Sequence, residues 1–82
     1  MQEQATVLVI DDERAMRDAC CQALSRDGYK TETAENAETG LQRARQVKPD
    51  VVMVDLKMPG MGGMELLEKI RDIDENIVSI VV

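Results

Sequence analysis

Apolar positions along the chain fall into four short runs separated by three longer stretches with helical spacing. Thr6–Ile10 (TVLVI) is β-branched and continuous, the composition of a strand. From Arg14 to Arg26 the pattern changes period, and Met16, Cys20, Ala23 and Leu24 share one helical face. Asp27-Gly28 supplies the stop, with Gly28 suited to a left-handed cap. Tyr29–Thr33 (YKTET) alternates weakly and predicts a strand with little to bury. A second helix over Ala37–Gln46 sets Ala37, Leu41 and Ala44 on one side, and Pro49 ends the connection. Val51–Val54 (VVMV) is a third strand. A third helix over Met61–Asp72 places Met64, Leu67 and Ile70 along one face with Leu66 beside them. Ile77–Val82 (IVSIVV) begins a fourth strand.

Strand and helix in strict alternation predict an α/β, doubly wound parallel sheet with helices on both faces. VLVI, VVMV and IVSIVV are nearly continuous apolar runs, as strands buried on both faces require, whereas YKTET is polar and belongs at an edge. That distribution fits the strand order 2-1-3-4. The chain reads as one domain over 1–82, with no repeat or internal linker.

Composition then narrows the chemistry. There is no His, so imidazole catalysis and imidazole-ligated zinc are excluded, and Tyr29 is the only aromatic residue. Net charge is -6, which repels phosphate backbones, and stacking platforms are missing, so direct nucleic-acid binding is not expected. Carboxylates in this number suit cations or basic partner surfaces. Cys20 and Cys21 are neighbours that point about 100° apart on a helix, so they staple nothing distant and read as free thiols of a reducing compartment. The N-terminus lacks the basic and apolar regions of a signal peptide, and no run approaches the ~20 apolar residues of a membrane span. A cytoplasmic protein with no membrane association is the expectation.

In an open α/β sheet the binding edge lies at the carboxyl ends of the strands, beside the point where strand order reverses. Strands 1 and 3 flank that point here. Strand 1 runs into Asp11-Asp12 and strand 3 into Asp55, so three carboxylates from distant parts of the chain converge on one crevice. In isolation the aspartate pair reads first as a helix cap, and Asp55 as a turn initiator. Together the three anions repel one another unless a cation neutralises them. With no His and no paired Cys ligand set, that cation is hard and oxygen-seeking, Mg²⁺ first. Magnesium takes few carboxylates and keeps waters, which leaves room for a phosphoryl oxygen and makes one aspartate a metal-supported nucleophile.

VLVIDDE, PDVVMVDLKMPGMGGMELL and the start of a fourth apolar strand resemble the receiver domain of two-component response regulators over essentially the whole chain. The resemblance implies the flavodoxin-like receiver fold, whose strand order is the one already inferred, so the two readings are not independent. It implies that Asp55 is the phosphoacceptor, that Asp12 is a direct Mg²⁺ ligand, and that Asp11 helps to hold the ion, often through water. The third protein ligand would be the backbone carbonyl of Lys57, whose ammonium then reads as a solvated loop charge. Pro59 and Gly60 would shape the loop, and Gly63 would let the chain turn into the third helix. Glu13 reads as a first-turn helix acid outside the ligand set, and Met58, Met61 and Met64 as fillers of irregular space around the loop.

The same resemblance implies a sensor histidine kinase as phosphoryl donor and an output domain or downstream protein that this segment does not contain. The family's Ser or Thr after strand 4 (Ser79 lies too early), its strand 5 and the Lys that follows are not in these residues, which predicts about two-thirds of a receiver of ~100–150 residues. The chain reads as a phosphoacceptor switch rather than an enzyme. A second reading is a non-catalytic interaction module, associating as a homodimer through the apolar edge of strand 4. A phosphatase with an aspartate nucleophile fits less well, because DLKMP offers no second acid just after Asp55 to act as general acid.

Overall fold

The computed structural model describes residues 4–55 and 62–81. Seven elements alternate along it: β1 (Thr6–Ile10), α1 (Arg14–Arg26), β2 (Lys30–Ala34), α2 (Ala37–Val47), β3 (Val51–Val54), α3 (Gly63–Ile73) and β4 (Val78–Val81). The strands form one parallel sheet in the order β2-β1-β3-β4, as the strand compositions predict. Register follows the apolar alternation: Leu8 pairs with Glu32 and with Val52, Ile10 with Ala34 and with Val54, and Met53 with Ile80. At the amino edge of the sheet Asp50 ties the strands together. Its carboxylate accepts from the Thr6 amide at 2.8 Å, and its carbonyl from the Val78 amide at 3.0 Å.

Residues of even number on β1 and β3 face α2 and α3. Leu8, Ile10, Val52 and Val54 are fully buried there against Ala37, Leu41 and Ala44 of α2 and Leu66 and Ile70 of α3. Each such aliphatic side chain contributes about 1.5–3 kcal/mol when fully buried. Helix α2 approaches closely enough that a Cβ at Gly40 would lie 2.5 Å from Ile10 Cδ1, so glycine is the residue this contact admits. The odd-numbered residues face α1, where cover is uneven: Val7 and Val9 on β1 are buried, but Val51 and Met53 on β3 are half-buried, Met16 is 42% exposed, and α1 has no fully buried residue.

The helix ends have local causes. Gly28 takes φ 92°, its amide donates to the Ser25 carbonyl at 3.1 Å, and the Tyr29 amide donates to that of Leu24 at 3.0 Å, the Schellman arrangement expected of Asp27-Gly28. Helix α2 starts at Asn36, whose side chain accepts from the Thr39 amide at 2.8 Å. It ends at Lys48 with φ 47°, because a residue preceding proline is disfavoured from continuing the helix. Helix α3 corrects one expectation. At about 100° per residue its buried stripe centres on Leu66 and Ile70, flanked by Leu67 and Ile73, and Met64 falls about 140° away. Met64 is therefore 69% exposed rather than part of the inward face. The helix starts at Gly63, after Gly62 as its N-cap, and Met61 lies outside the described residues. Strand β4 is exposed along its length, with Val78, Ile80 and Val81 at 56%, 45% and 41%. No helix among the described residues is long and apolar enough to cross a membrane.

Candidate functional site

The sheet ladders carry two aspartates to one place. Asp11 follows the last residue of β1, and its amide donates to the Ala34 carbonyl at 3.1 Å, extending the β1–β2 pairing by one step. Asp55 follows the last residue of β3, and its amide donates to the Ile10 carbonyl at 3.1 Å. Parallel register thus fixes both at neighbouring strand ends. Because side chains alternate along a strand, Asp11 continues the row Val7–Val9 and Asp55 the row Val51–Met53, on the α1 side of the sheet. Asp12 sits in the bend leading to α1. One carboxylate oxygen from each of Asp11, Asp12 and Asp55 lies within 4.8 Å of the others. Asp11 is 9% exposed, Asp55 is half-buried and Asp12 is open to solvent.

Helix α1 packs against this cluster at its positive end, where its macrodipole partly offsets the anionic charge. The approach of the chain is set by Asp11. Its Oδ1 accepts from the Glu13 amide at 2.9 Å, an Asx turn that satisfies one backbone donor at the helix entrance. Glu13 is accordingly the N-cap residue, with φ -95° and ψ 118°, and its carbonyl accepts the first helical bond from the Arg17 amide at 3.1 Å. This corrects the expectation of a first-turn acid: the first turn of α1 contains none, and Glu13's own side chain caps nothing. The capping role foreseen for the aspartate pair falls to Asp11 alone.

Arg17 is the participant that sequence reasoning missed. Its Nη1 donates to the Asp11 carbonyl oxygen at 2.7 Å in a partly buried setting. The available signal was its place at the fourth helical position, since helical side chains lean towards the N-terminus and can lie back over it. Lys57, Pro59 and Gly60, with Met58, lie outside the described residues. Behind the carboxylates a small open cleft of about 40 Å³ is lined by Val9, Met16, Cys20 and Met53 together with Asp11 and Asp55. The two cysteines are free.

The donor set fits a hard divalent cation. Three carboxylate groups offer only oxygen, one held at 9% exposure by the fold, and their proximity is repulsive without a counter-charge. Asp11 uses one of its lone pairs on the Glu13 amide, and an ionised carboxylate has about four, so it retains capacity for a metal or a metal-bound water.

Comparison with known proteins agrees with this fold. The family model described as "Response regulator receiver domain" matches residues 7–82. Sporulation initiation phosphotransferase F of Bacillus subtilis is 37% identical over 71 residues, covering 87% of this chain and 57% of that protein. The chain thus spans a little over half the length of that relative. Among solved structures, the chemotaxis protein CheY4 of Vibrio cholerae superposes with a TM-score of 0.90 at 28% identity, covering 96% of this chain and 68% of that one. A chain in the complex of histidine kinase ThkA with the response regulator protein TrrA gives 0.86 at 33% identity, covering 95% and 67%.

Proposed function

The chain belongs to the response regulator receiver domain family, and from that membership we propose that it is a phosphoacceptor module in which Asp55 takes a phosphoryl group from a histidine kinase. The observation that carries the reading is the convergence of Asp11, Asp12 and Asp55 within 4.8 Å at neighbouring strand ends. A carboxylate oxygen of Asp55 attacks phosphorus and forms an O–P bond. The N–P bond of the donor phosphohistidine breaks, and its electron pair stays on the imidazole nitrogen, which can then take up a proton. The reading is supported by the ladder bond from the Asp55 amide to the Ile10 carbonyl, which fixes the Asp55 backbone against β1.

Mg²⁺ would be held by Asp11, Asp12, Asp55 and the carbonyl of Lys57, and when bound it supplies charge neutralisation for the transferring phosphoryl oxygens. Asp11 contributes a preorganised carboxylate, locked by the Glu13 amide, and Asp12 a solvent-facing one. Like-charge repulsion inside the cluster disfavours the apo arrangement, and relief of that repulsion supports cation binding. The module is read as a switch that is itself modified, not as an enzyme turning over a separate substrate, and as a cytoplasmic protein. The kinase as partner is supported by the similarity to a chain in a solved kinase–response regulator complex.

A small acyl phosphate supplied with and without Mg²⁺ tests the proposal. The expected result is an acid-labile acyl phosphate on Asp55 that requires Mg²⁺ and vanishes in Asp55→Asn, because an amide cannot replace the carboxylate nucleophile. Label retained in Asp55→Asn contradicts the assignment, and continuous release of phosphate would indicate a phosphatase instead. Silence would favour a second reading, an assembly module acting through the exposed apolar residues of β4.

A further inference from the structure

We infer that Arg17 is a positioning residue for the acidic site, a guanidinium pin that holds the Asp11–Glu13 bend in the form that presents the carboxylates of Asp11 and Asp12. The inference rests on the reading of those carboxylates as a cation site, and adds a residue on α1 that binds neither cation nor phosphoryl group.

The geometry is closed. Asp11 is fixed at three points: its amide by the Ala34 carbonyl at 3.1 Å, its Oδ1 by the Glu13 amide at 2.9 Å, and its carbonyl by Arg17 Nη1 at 2.7 Å. The first of these belongs to the sheet and the second is internal to the bend. Only the third ties the bend to the body of α1, from a residue whose own amide donates to the Glu13 carbonyl at 3.1 Å. Arg17 therefore grips both sides of Asp12, through its backbone on the Glu13 side and through its side chain on the Asp11 side. Asp12 itself is exposed, so its direction is governed by how firmly its neighbours are held.

A guanidinium suits this task better than the other basic side chain. It cannot lose its charge, its donors are fixed in a plane, and a charge-assisted bond to a partly buried carbonyl is stronger than a neutral one. Its positive charge also offsets part of the repulsion among three carboxylates before a cation arrives. That charge opposes the cation at the same time, so the net effect on affinity depends on which term is larger. Hydrogen bonds that orient metal ligands typically govern affinity by about 10–100-fold, whereas the guanidinium sits on the Asp11 backbone carbonyl and not on a carboxylate oxygen, so its charge opposes the cation from a longer distance. Positioning wins by this reasoning, and removal of Arg17 weakens binding.

Arg14 provides the control, since it carries the same charge three residues earlier on the same helix. Its side chain is 86% exposed and pairs only loosely with Asp18, at 3.7 Å. The experiment compares wild type, Arg17→Ala, Arg17→Lys and Arg14→Ala by calorimetric Mg²⁺ titration and by amide hydrogen exchange of metal-free protein, with circular dichroism to confirm folding. Arg17→Ala is expected to weaken Mg²⁺ binding on the order of tenfold and to speed exchange at the Glu13 amide, while Arg14→Ala leaves both near wild type. Arg17→Lys, which keeps a charged donor on a long chain, is expected to recover part of each loss, and it carries the test should Arg17→Ala fail to fold. Unchanged or tighter binding in Arg17→Ala, or equal effects at Arg14 and Arg17, would overturn the inference. Should wild type bind no Mg²⁺, the cation reading fails by itself. The Glu13 amide then decides the pin: faster exchange in Arg17→Ala upholds it, and unchanged exchange removes it.

Discussion

The two faces of the sheet are built from the same four strands and are packed very differently. On the side of α2 and α3, Leu8, Ile10, Val52 and Val54 are fully buried and meet two helices that also touch each other. On the side of α1, Val7 and Val9 are buried, but Val51 and Met53 remain half-buried, and Met16 is 42% exposed. Alternation along β1 and β3 assigns the even positions to the first face and the odd positions, including Asp11 and Asp55, to the second. The lesson is one of placement. A shift of one residue in either strand would drive a carboxylate into the apolar core, whereas the existing register delivers it to the open side. Folding strength and chemistry are divided between the faces by a period of two.

This division has a measurable consequence in stability. Ile70→Ala removes a fully buried side chain from the closed face, and a loss of about 2–5 kcal/mol is expected in urea unfolding. The cost has two parts, the lost transfer free energy and the cavity left between α3 and the sheet. Met16→Ala sits at the other extreme, on the open face and 42% exposed. A change below about 1 kcal/mol is expected there, in the range of surface substitutions. Equal losses for the two variants would mean that the faces are not energetically distinct, and the comparison would have to be abandoned.

Much of this was legible beforehand, and the reasons differ by element. The strand order followed from the polarity of YKTET against three apolar runs, because an edge strand has one neighbour fewer to bury it. Gly28 was readable as a left-handed cap because few other residues adopt φ 92° cheaply. The three aspartates were readable as a cluster because parallel topology brings strand ends together whatever the loops do. Met64 was misplaced because three apolar residues spaced by three suggest a stripe, while the stripe in α3 follows the four-residue spacing of Leu66 and Ile70. The start of the first helix at Arg14 was readable, but Glu13 was counted inside its first turn, whereas the Asx turn of Asp11 holds Glu13 in extended backbone as the N-cap. Arg17 escaped notice because its role is a bond to a backbone carbonyl, which leaves no pattern among side-chain types. The Lys57 carbonyl expected among the ligands lies outside the described residues.

The central claim is that Asp11, Asp12 and Asp55 act as one cation site, and that Glu13, although adjacent in sequence, lies outside the converging carboxylates. Calorimetric titration of Mg²⁺ into wild type, Asp12→Ala and Glu13→Ala tests it most directly. The account predicts that Asp12→Ala loses measurable binding, because it removes one of three converging carboxylates, and that Glu13→Ala binds close to wild type. Greater damage from Glu13→Ala than from Asp12→Ala would contradict the account.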